Sequence, residues 1–137
     1  MQIKTPERRE HHTGKLQTWL RLWLPPLAWM GVIFAGSSQS TLPSLTPGVP
    51  DLQDILGHLT EYAILATLFY RALRGTQEVR RPALWAFFLT LGYSISDEWH
   101  QTFVPGRDGT PIDVGIDVIG ASLALFWLRR FVVRHEA

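Results

Sequence analysis

The segment Arg71-Ala-Leu-Arg-Gly-Thr-Gln-Glu-Val-Arg-Arg-Pro82 carries four arginines and separates two apolar blocks, residues 55–70 and 83–95. A further apolar block precedes these two, at about 22–36, and another follows them, at about 112–128. Basic side chains gather on the cytoplasmic side of membrane proteins. The arginine-rich segment therefore predicts a cytoplasmic loop between two membrane helices.

The basic residues of the whole chain lie in alternate segments between the apolar blocks. Twelve of the 13 lysines and arginines lie before the first block, between the second and third, or after the fourth. They are Lys4, Arg8, Arg9, Lys15, Arg21, Arg71, Arg74, Arg80, Arg81, Arg129, Arg130 and Arg134, and Arg107 is the exception. Because a soluble bundle has no reason to sort its charges in this way, we predict an all-α polytopic membrane protein with four short transmembrane helices and both termini in the cytoplasm. Residues 1–18 would be a polar cytoplasmic arm, 19–130 the membrane domain and 131–137 a cytoplasmic tail.

Hydropathy gives weaker support than charge. The blocks are shorter than the ~20 residues of a full span, and a mean hydropathy of +0.04 also suits a soluble protein. The first block, Leu22–Ala35 followed by Gly36, also has features of a cleaved signal peptide. Because its leader is long and Pro25-Pro26 interrupts it, we instead expect a retained helix that starts near Trp19 or Leu27.

Turn and cap residues predict where the helices begin and end. Residues 37–53 contain three prolines and a glycine and predict an outer loop without a helix. Asp51 would cap the second helix, and Gly75 would end it. Pro82 and Pro111 would each open a helix as first-turn prolines.

Composition excludes several kinds of chemistry. The chain has no cysteine, which excludes disulfides and thiolate sites. A net charge of +1 offers no basic field for nucleic acid, and no phosphate-binding glycine loop or nucleophile elbow is present.

The histidines of the predicted tails, His11, His12 and His135, are expected to be solvated. Tryptophans near the block ends predict rings at the membrane interface, or alternatively rings that fill a core. These are Trp19, Trp23, Trp85, Trp99 and Trp127.

The acidic residues concentrate on the predicted outer side. Eight of the 12 lie in or beside the outer connections: Asp51, Asp54, Glu61, Asp97, Glu98, Asp108, Asp113 and Asp117. Helical spacing groups them with other polar residues on three helix ends. The groups are Asp54, His58, Glu61 and Tyr62 on the second helix, Asp97, Glu98, His100 and Gln101 on the third, and Asp113 and Asp117 on the fourth. Gly120 would allow the fourth helix to approach a neighbour closely.

Two interpretations of this cluster stay open. One is a self-paired polar network that holds the helices in register. The other is a functional site for an outer-leaflet or cell-wall ligand. Its candidate catalytic residues are His58, Asp97, Glu98 and His100, and its candidate ligand-binding residues are Asp54, Glu61, Tyr62, Gln101, Arg107, Asp113 and Asp117. Pairing of His58 with Glu61 and of Asp97 with His100 could bind a divalent ion, but neither has a zinc-site spacing, so we expect no metal or other cofactor.

These residues carry a resemblance to a known family. Asp54-x-x-x-His58-x-x-x-Tyr62, Ser96-Asp-Glu-Trp-His-Gln-Thr-Phe-Val-Pro-Gly-Arg107 and Ile112-Asp-Val-x-x-Asp117-x-x-Gly120 are similar to the pattern of the VanZ-like family, and Ser37-Ser38-Gln39 fits its polar segment after the first helix. The likeness covers about residues 27–128. At position 117 asparagine is more usual in the family. The additional acid makes the charges of this cluster differ from those that the family pattern implies.

The resemblance implies a four-helix protein of the bacterial cytoplasmic membrane, whose namesake gives resistance to the glycopeptide teicoplanin. Expected partners are the lipid bilayer and a cell-wall precursor, a lipid headgroup or a glycopeptide, with no nucleic acid. Three roles are compatible with the cluster. The protein could bind an envelope component, hydrolyse or transfer a group on an envelope lipid, or serve as a transporter or accessory subunit.

Overall fold

A computed structural model of the chain describes residues 7–40, 50–76, 78–107 and 109–135. They form four helices: α1 (Glu7–Ser37), α2 (Pro50–Gly75), α3 (Pro82–Gln101) and α4 (Pro111–His135). The described residues contain no strand. The all-α prediction with four helices is confirmed.

Helix α2 lies at the centre of the bundle. It packs against each of the other three helices, most extensively against α4, whereas α1 contacts α2 and, slightly, α3. Tyr62, Leu65 and Ala66 of α2 have no exposed surface and form the middle of the core. Since α2 supplies most of the buried apolar surface, its orientation fixes where the other helices can place their polar ends.

Three of the predicted helix boundaries are confirmed. Gly75 is the last residue of α2, and Pro82 and Pro111 are the first residues of α3 and α4. Arg81, just before Pro82, has a left-handed backbone with φ of 63°. A proline at the first helical position loses no intrahelical hydrogen bond, which explains why these positions were readable from sequence.

The first and last helices extend further than predicted. Helix α1 begins at Glu7, so the predicted arm is largely helical, and Pro25 and Pro26 lie inside the helix. Glutamate, arginine, lysine and glutamine are good helix formers, so a segment without an apolar face can still be helical. Helix α4 continues past Arg129 and Arg130 to His135.

The outer connection after α1 is shorter than predicted. Helix α1 continues to Ser37 and α2 already begins at Pro50, so the predicted loop at 37–53 loses both of its ends to helices. Asp51 lies in the first turn of α2 rather than before it. Its side chain, residues 41–49 and Asp108 lie outside the described residues.

Among the described helices, α4 is the one that is long and apolar enough to cross a membrane, over Pro111–Phe131. The four-span topology therefore stays a prediction. Four tryptophan rings, those of Trp19, Trp85, Trp99 and Trp127, are more than half exposed and so do not fill the core. Trp23 packs partly against it.

Gly120 brings α2 and α4 into backbone contact. A Cβ atom at this position would overlap the backbone of Leu59, with the Leu59 Cα only 3.0 Å away. The two helices run in the same direction here, since residues 59–68 of α2 face residues 120–127 of α4. The predicted role of Gly120 in close helix approach agrees with this contact.

We expect Gly120→Ala to lower the free energy of unfolding by ~1–3 kcal/mol, because the backbone of Leu59 cannot move aside without shifting α2. Thermal unfolding of the purified protein measures the change. Gly115→Ala is the matched control. It lies on the same helix with open space around it, so it should be neutral or stabilise by up to ~1 kcal/mol through helix propensity. Equal effects of the two substitutions would contradict the contact.

Candidate functional site

Four helix ends meet at one end of the bundle. These are the end of α1, the start of α2, the end of α3 and the start of α4, as their mutual hydrogen bonds show. The basic segments 71–81 and 129–130 lie at the opposite ends of their helices. The structure thus gathers the predicted polar residues at the end of the bundle remote from most of the arginines.

Asp117 is the centre of a first group, which we call the Asp117 cluster. Its carboxylate has no exposed surface. Nδ1 of His58 lies 2.9 Å from one of its oxygens and the hydroxyl of Ser94 donates to the other at 2.6 Å. Because the hydroxyl and the imidazole come from α3 and α2, this single carboxylate joins three helices.

Asp97 is the centre of a second group, the Asp97 cluster. Its buried carboxylate accepts hydrogen bonds from the hydroxyl of Ser37 at 2.7 Å, from the hydroxyl of Tyr62 at 3.3 Å and from the amide of Gln101 at 3.2 Å. Ser37 belongs to α1 and Tyr62 to α2. The Asp97 cluster therefore ties the end of α1 to the rest of the bundle.

Glu98 holds the turn between α3 and α4. Its carboxylate accepts hydrogen bonds from the backbone N–H of Thr110 at 2.9 Å and from Gln101 at 3.2 Å. Gly109 lies directly against the carbonyl oxygen of Glu98, where a Cβ atom has no room. Thr110 and Asp113 then cap α4 reciprocally, since the Thr110 hydroxyl donates to the Asp113 carboxylate and accepts from its backbone N–H.

Arg107 connects this turn to the end of α1. Its guanidinium donates to the carbonyl oxygens of Gln39 at 3.1 Å and Gly36 at 3.4 Å. A weaker contact of 3.5 Å reaches Gln101. A cation at the last carbonyls of a helix also interacts favourably with the helix dipole.

His100 faces away from both clusters. Its ring stacks on Phe34 with centroids 4.5 Å apart, and its Nε2 lies 3.1 Å from the hydroxyl of Ser38. The structure therefore does not bring His100 together with His58, although both were candidate catalytic residues. Asp97 has Ser37, Tyr62 and Gln101 as its neighbours instead of His100.

A cavity of about 630 Å³ lies between α1, α2 and the end of α3, and we call it the α1–α2 cavity. Its polar lining comes from both clusters and their surroundings: Ser37, Gln53, Asp54, His58, Thr60, Glu61, Asp97, Gln101 and Arg107. Leu52, Leu56 and Ile64 form an exposed apolar stripe of α2 along its rim. The cavity is therefore amphipathic: most of its surface is apolar, and polar groups of both clusters line part of its wall.

Sequence reasoning missed several residues of the site. Ser94 lies three residues before Asp97 on α3, so helical periodicity could have placed it on the same face. Trp29 had no such signal. It donates from its indole N–H to the backbone carbonyl of Glu61 across the cavity at 2.9 Å. Contacts of this kind depend on how α1 is positioned against α2.

The geometry gives His58 a defined chemical capacity. An ionised Asp117 can only accept hydrogen bonds, so the proton of the pair lies on Nδ1 of His58. An imidazole oriented in this way by a carboxylate can exchange protons through its other nitrogen. His58 also lines the α1–α2 cavity. Of the four candidate catalytic residues, His58 best combines orientation with access.

The structure groups potential metal ligands differently from the two pairs that the sequence predicted. His58, Glu98 and Asp117 each offer one ligand atom, and these atoms lie within 4.8 Å of one another. The three come from three different helices, which the spacing of residues within one helix could not reveal.

Comparison with known proteins gives one match. The family model described as VanZ/LLP1 matches residues 18–132, which is most of the chain. No curated protein and no solved structure matches it.

We expect Ser94→Ala to destabilise the protein by ~1–3 kcal/mol, because one oxygen of the buried Asp117 carboxylate loses its hydrogen-bond donor. Ser96→Ala, two residues away on the exposed face of α3, should change stability by less than ~0.5 kcal/mol. Denaturant or thermal unfolding of both variants measures the difference. A Ser94 variant as stable as the Ser96 control would show that the Asp117 cluster does not depend on this hydroxyl.

Proposed function

The chain belongs to the VanZ/LLP1 family, and we propose that it is a four-span protein of the bacterial cytoplasmic membrane that binds an amphiphilic cell-envelope component or glycopeptide in its α1–α2 cavity. The observation that carries this proposal is the combination, in one cavity, of a largely apolar surface with ionisable and hydrogen-bonding side chains such as His58, Asp97 and Arg107. Such a cavity fits a molecule with a polar headgroup and a hydrocarbon portion.

The surface of the bundle supports a membrane setting. Large apolar side chains are exposed on every helix, among them Val32 on α1, Leu56 on α2, Phe88 on α3 and Ile112 on α4. Extensive exposed apolar surface in a soluble monomer usually marks an interaction with a partner or a membrane. Together with the alternation of basic residues, this surface favours lipid as the surrounding medium.

The position of the cavity favours entry from the outer side. It lies at the acidic end of the bundle, away from the arginines that would face the cytoplasm. The exposed stripe of Leu52, Leu56 and Ile64 would contact the hydrocarbon portion of the ligand. Arg107 and His58 can donate to phosphate, carboxylate or hydroxyl groups of its head. By resemblance to the family, the glycopeptide teicoplanin is the first ligand to test.

A second candidate function is catalysis on an envelope lipid. The observation that favours it is the hydrogen bond between His58 and Asp117 at the cavity wall, which is the arrangement of an oriented general acid or base. In this function His58 would transfer the proton during hydrolysis or group transfer, and Asp117 would be its positioning residue.

The four-span topology can be tested by labelling single cysteines, since the chain has none of its own. In protoplasts, Ser40→Cys should react with a membrane-impermeant maleimide, because Ser40 follows the outer end of α1. Glu78→Cys, in the loop between α2 and α3, should react only after permeabilisation. The positive-inside rule gives this direction. Labelling of both residues from the same side would overturn the topology.

We expect Gly57→Leu to weaken binding of fluorescent teicoplanin to the protein in nanodiscs at least tenfold, a change of ~1.4 kcal/mol. Gly57 lines the cavity and a Cβ atom there meets no neighbour, so the added side chain would extend into ligand volume. Teicoplanin protection of an expressing host should fall in parallel. Fluorescence anisotropy and growth inhibition measure the two effects.

Gly115→Leu is the matched control, because Gly115 also has open space but lies on α4 away from the cavity. Equal binding by the Gly57 and Gly115 variants would contradict the cavity as the binding site.

His58→Gln separates the two proposed functions, binding and catalysis. Loss of protection with intact binding would favour catalysis, and loss of both would favour binding. If the folded protein neither binds teicoplanin nor protects the host, teicoplanin is not its ligand.

A further inference from the structure

Three potential metal ligands converge where α2, α3 and α4 meet. One nitrogen of His58 and one carboxylate oxygen each of Glu98 and Asp117 lie within 4.8 Å of one another. Donors around a single divalent ion are about 3–5 Å apart, because each lies roughly 2.0–2.5 Å from the ion. The three side chains therefore already have nearly the separation that a shared ion requires.

The charge of this region favours a bound cation. Asp97, Glu98 and Asp117 are all at least 95% buried, and burying a carboxylate is costly unless a positive charge compensates it. In the described part of the chain, the basic side chains beside them are His58 and Arg107. Arg107 donates mainly to backbone carbonyls and forms no ion pair with these carboxylates among the described residues, so a bound cation would compensate them in their ionised form.

The hydrogen bonds at the two carboxylates leave room for coordination. An ionised carboxylate has about four lone-pair sites. The hydrogen bonds described for Asp117 come from His58 and Ser94, and those for Glu98 from Thr110 and Gln101. Donors of this kind orient metal ligands in known sites, where they keep the coordinating oxygens in place. On binding, the ring nitrogen of His58 that faces Asp117 would release its proton and both groups would coordinate the ion, whereas Ser94, Thr110 and Gln101 can keep their hydrogen bonds to the carboxylates.

We propose that His58, Glu98 and Asp117 bind one divalent transition-metal ion of the zinc or manganese type. An imidazole with two carboxylates is a mixed nitrogen and oxygen ligand set, which favours these ions over Mg²⁺ and Ca²⁺, whose usual ligands are all oxygen. The ion reaches the site through the α1–α2 cavity, which His58 lines. The proposal does not depend on what else the cavity binds.

The test is isothermal titration of the purified, chelator-treated protein with Zn²⁺, in a His11→Gln/His12→Gln background that removes the paired histidines near the N-terminus. We expect one saturable site per chain. Glu98→Gln and Asp117→Asn, which keep side-chain shape but remove the charge, should each weaken Zn²⁺ binding at least tenfold. Glu78→Gln, an exposed carboxylate in the loop between α2 and α3 at the opposite end of the bundle, is the matched control and should bind normally.

A second measurement covers the case in which a variant fails to fold. Zn²⁺ should raise the midpoint of thermal unfolding of the parent protein, because an ion that binds only the folded state stabilises it. Co²⁺ bound in its place should give a visible spectrum that changes in His58→Gln. Absence of saturable Zn²⁺ binding by the parent protein would overturn the proposal. Binding that all the variants retain would also overturn it.

Discussion

The arrangement of α2, α3 and α4 depends on the hydrogen bonds of the buried Asp117 carboxylate. A carboxylate without exposed surface is stable only where donors surround it, and here the donors come from His58 on α2 and Ser94 on α3. Gly120 lies one turn below and lets the backbones of α2 and α4 touch. Polar pairing and close backbone packing are thus adjacent on α4, and both hold it against α2.

Helix α1 is attached differently. Besides packing in the core, it is held by polar contacts, among which Ser37 donates to Asp97, Trp29 donates to the carbonyl of Glu61, and the carbonyl of Gly36 accepts from Arg107. Its contacts with α3 are made mainly by side chains near its end, and among the described residues it does not pack on α4. The α1–α2 cavity lies beside this attachment, where polar groups of both clusters are accessible to an entering molecule.

Much of the fold was readable from local signals. Gly75, Pro82 and Pro111 marked helix boundaries because their backbone preferences act within a few residues. The extent of α1 was not, since helix propensity in a polar segment leaves no apolar pattern. Helical spacing predicted that the acids lie at one end of the bundle. It could not predict that they form separate clusters around Asp97 and Asp117, or that His100 faces α1. Those outcomes depend on how the helices are rotated against one another.

The contact of Gly109 with the carbonyl of Glu98 limits how this protein can vary in evolution. The turn after α3 passes so close to the helix that a single added methyl group would push Thr110 away from the carboxylate it holds. An insertion or deletion between residues 102 and 109 would have the same result. The length of this turn is therefore constrained as strictly as the chemistry of the residues beside it, although no atom of Gly109 itself is reactive.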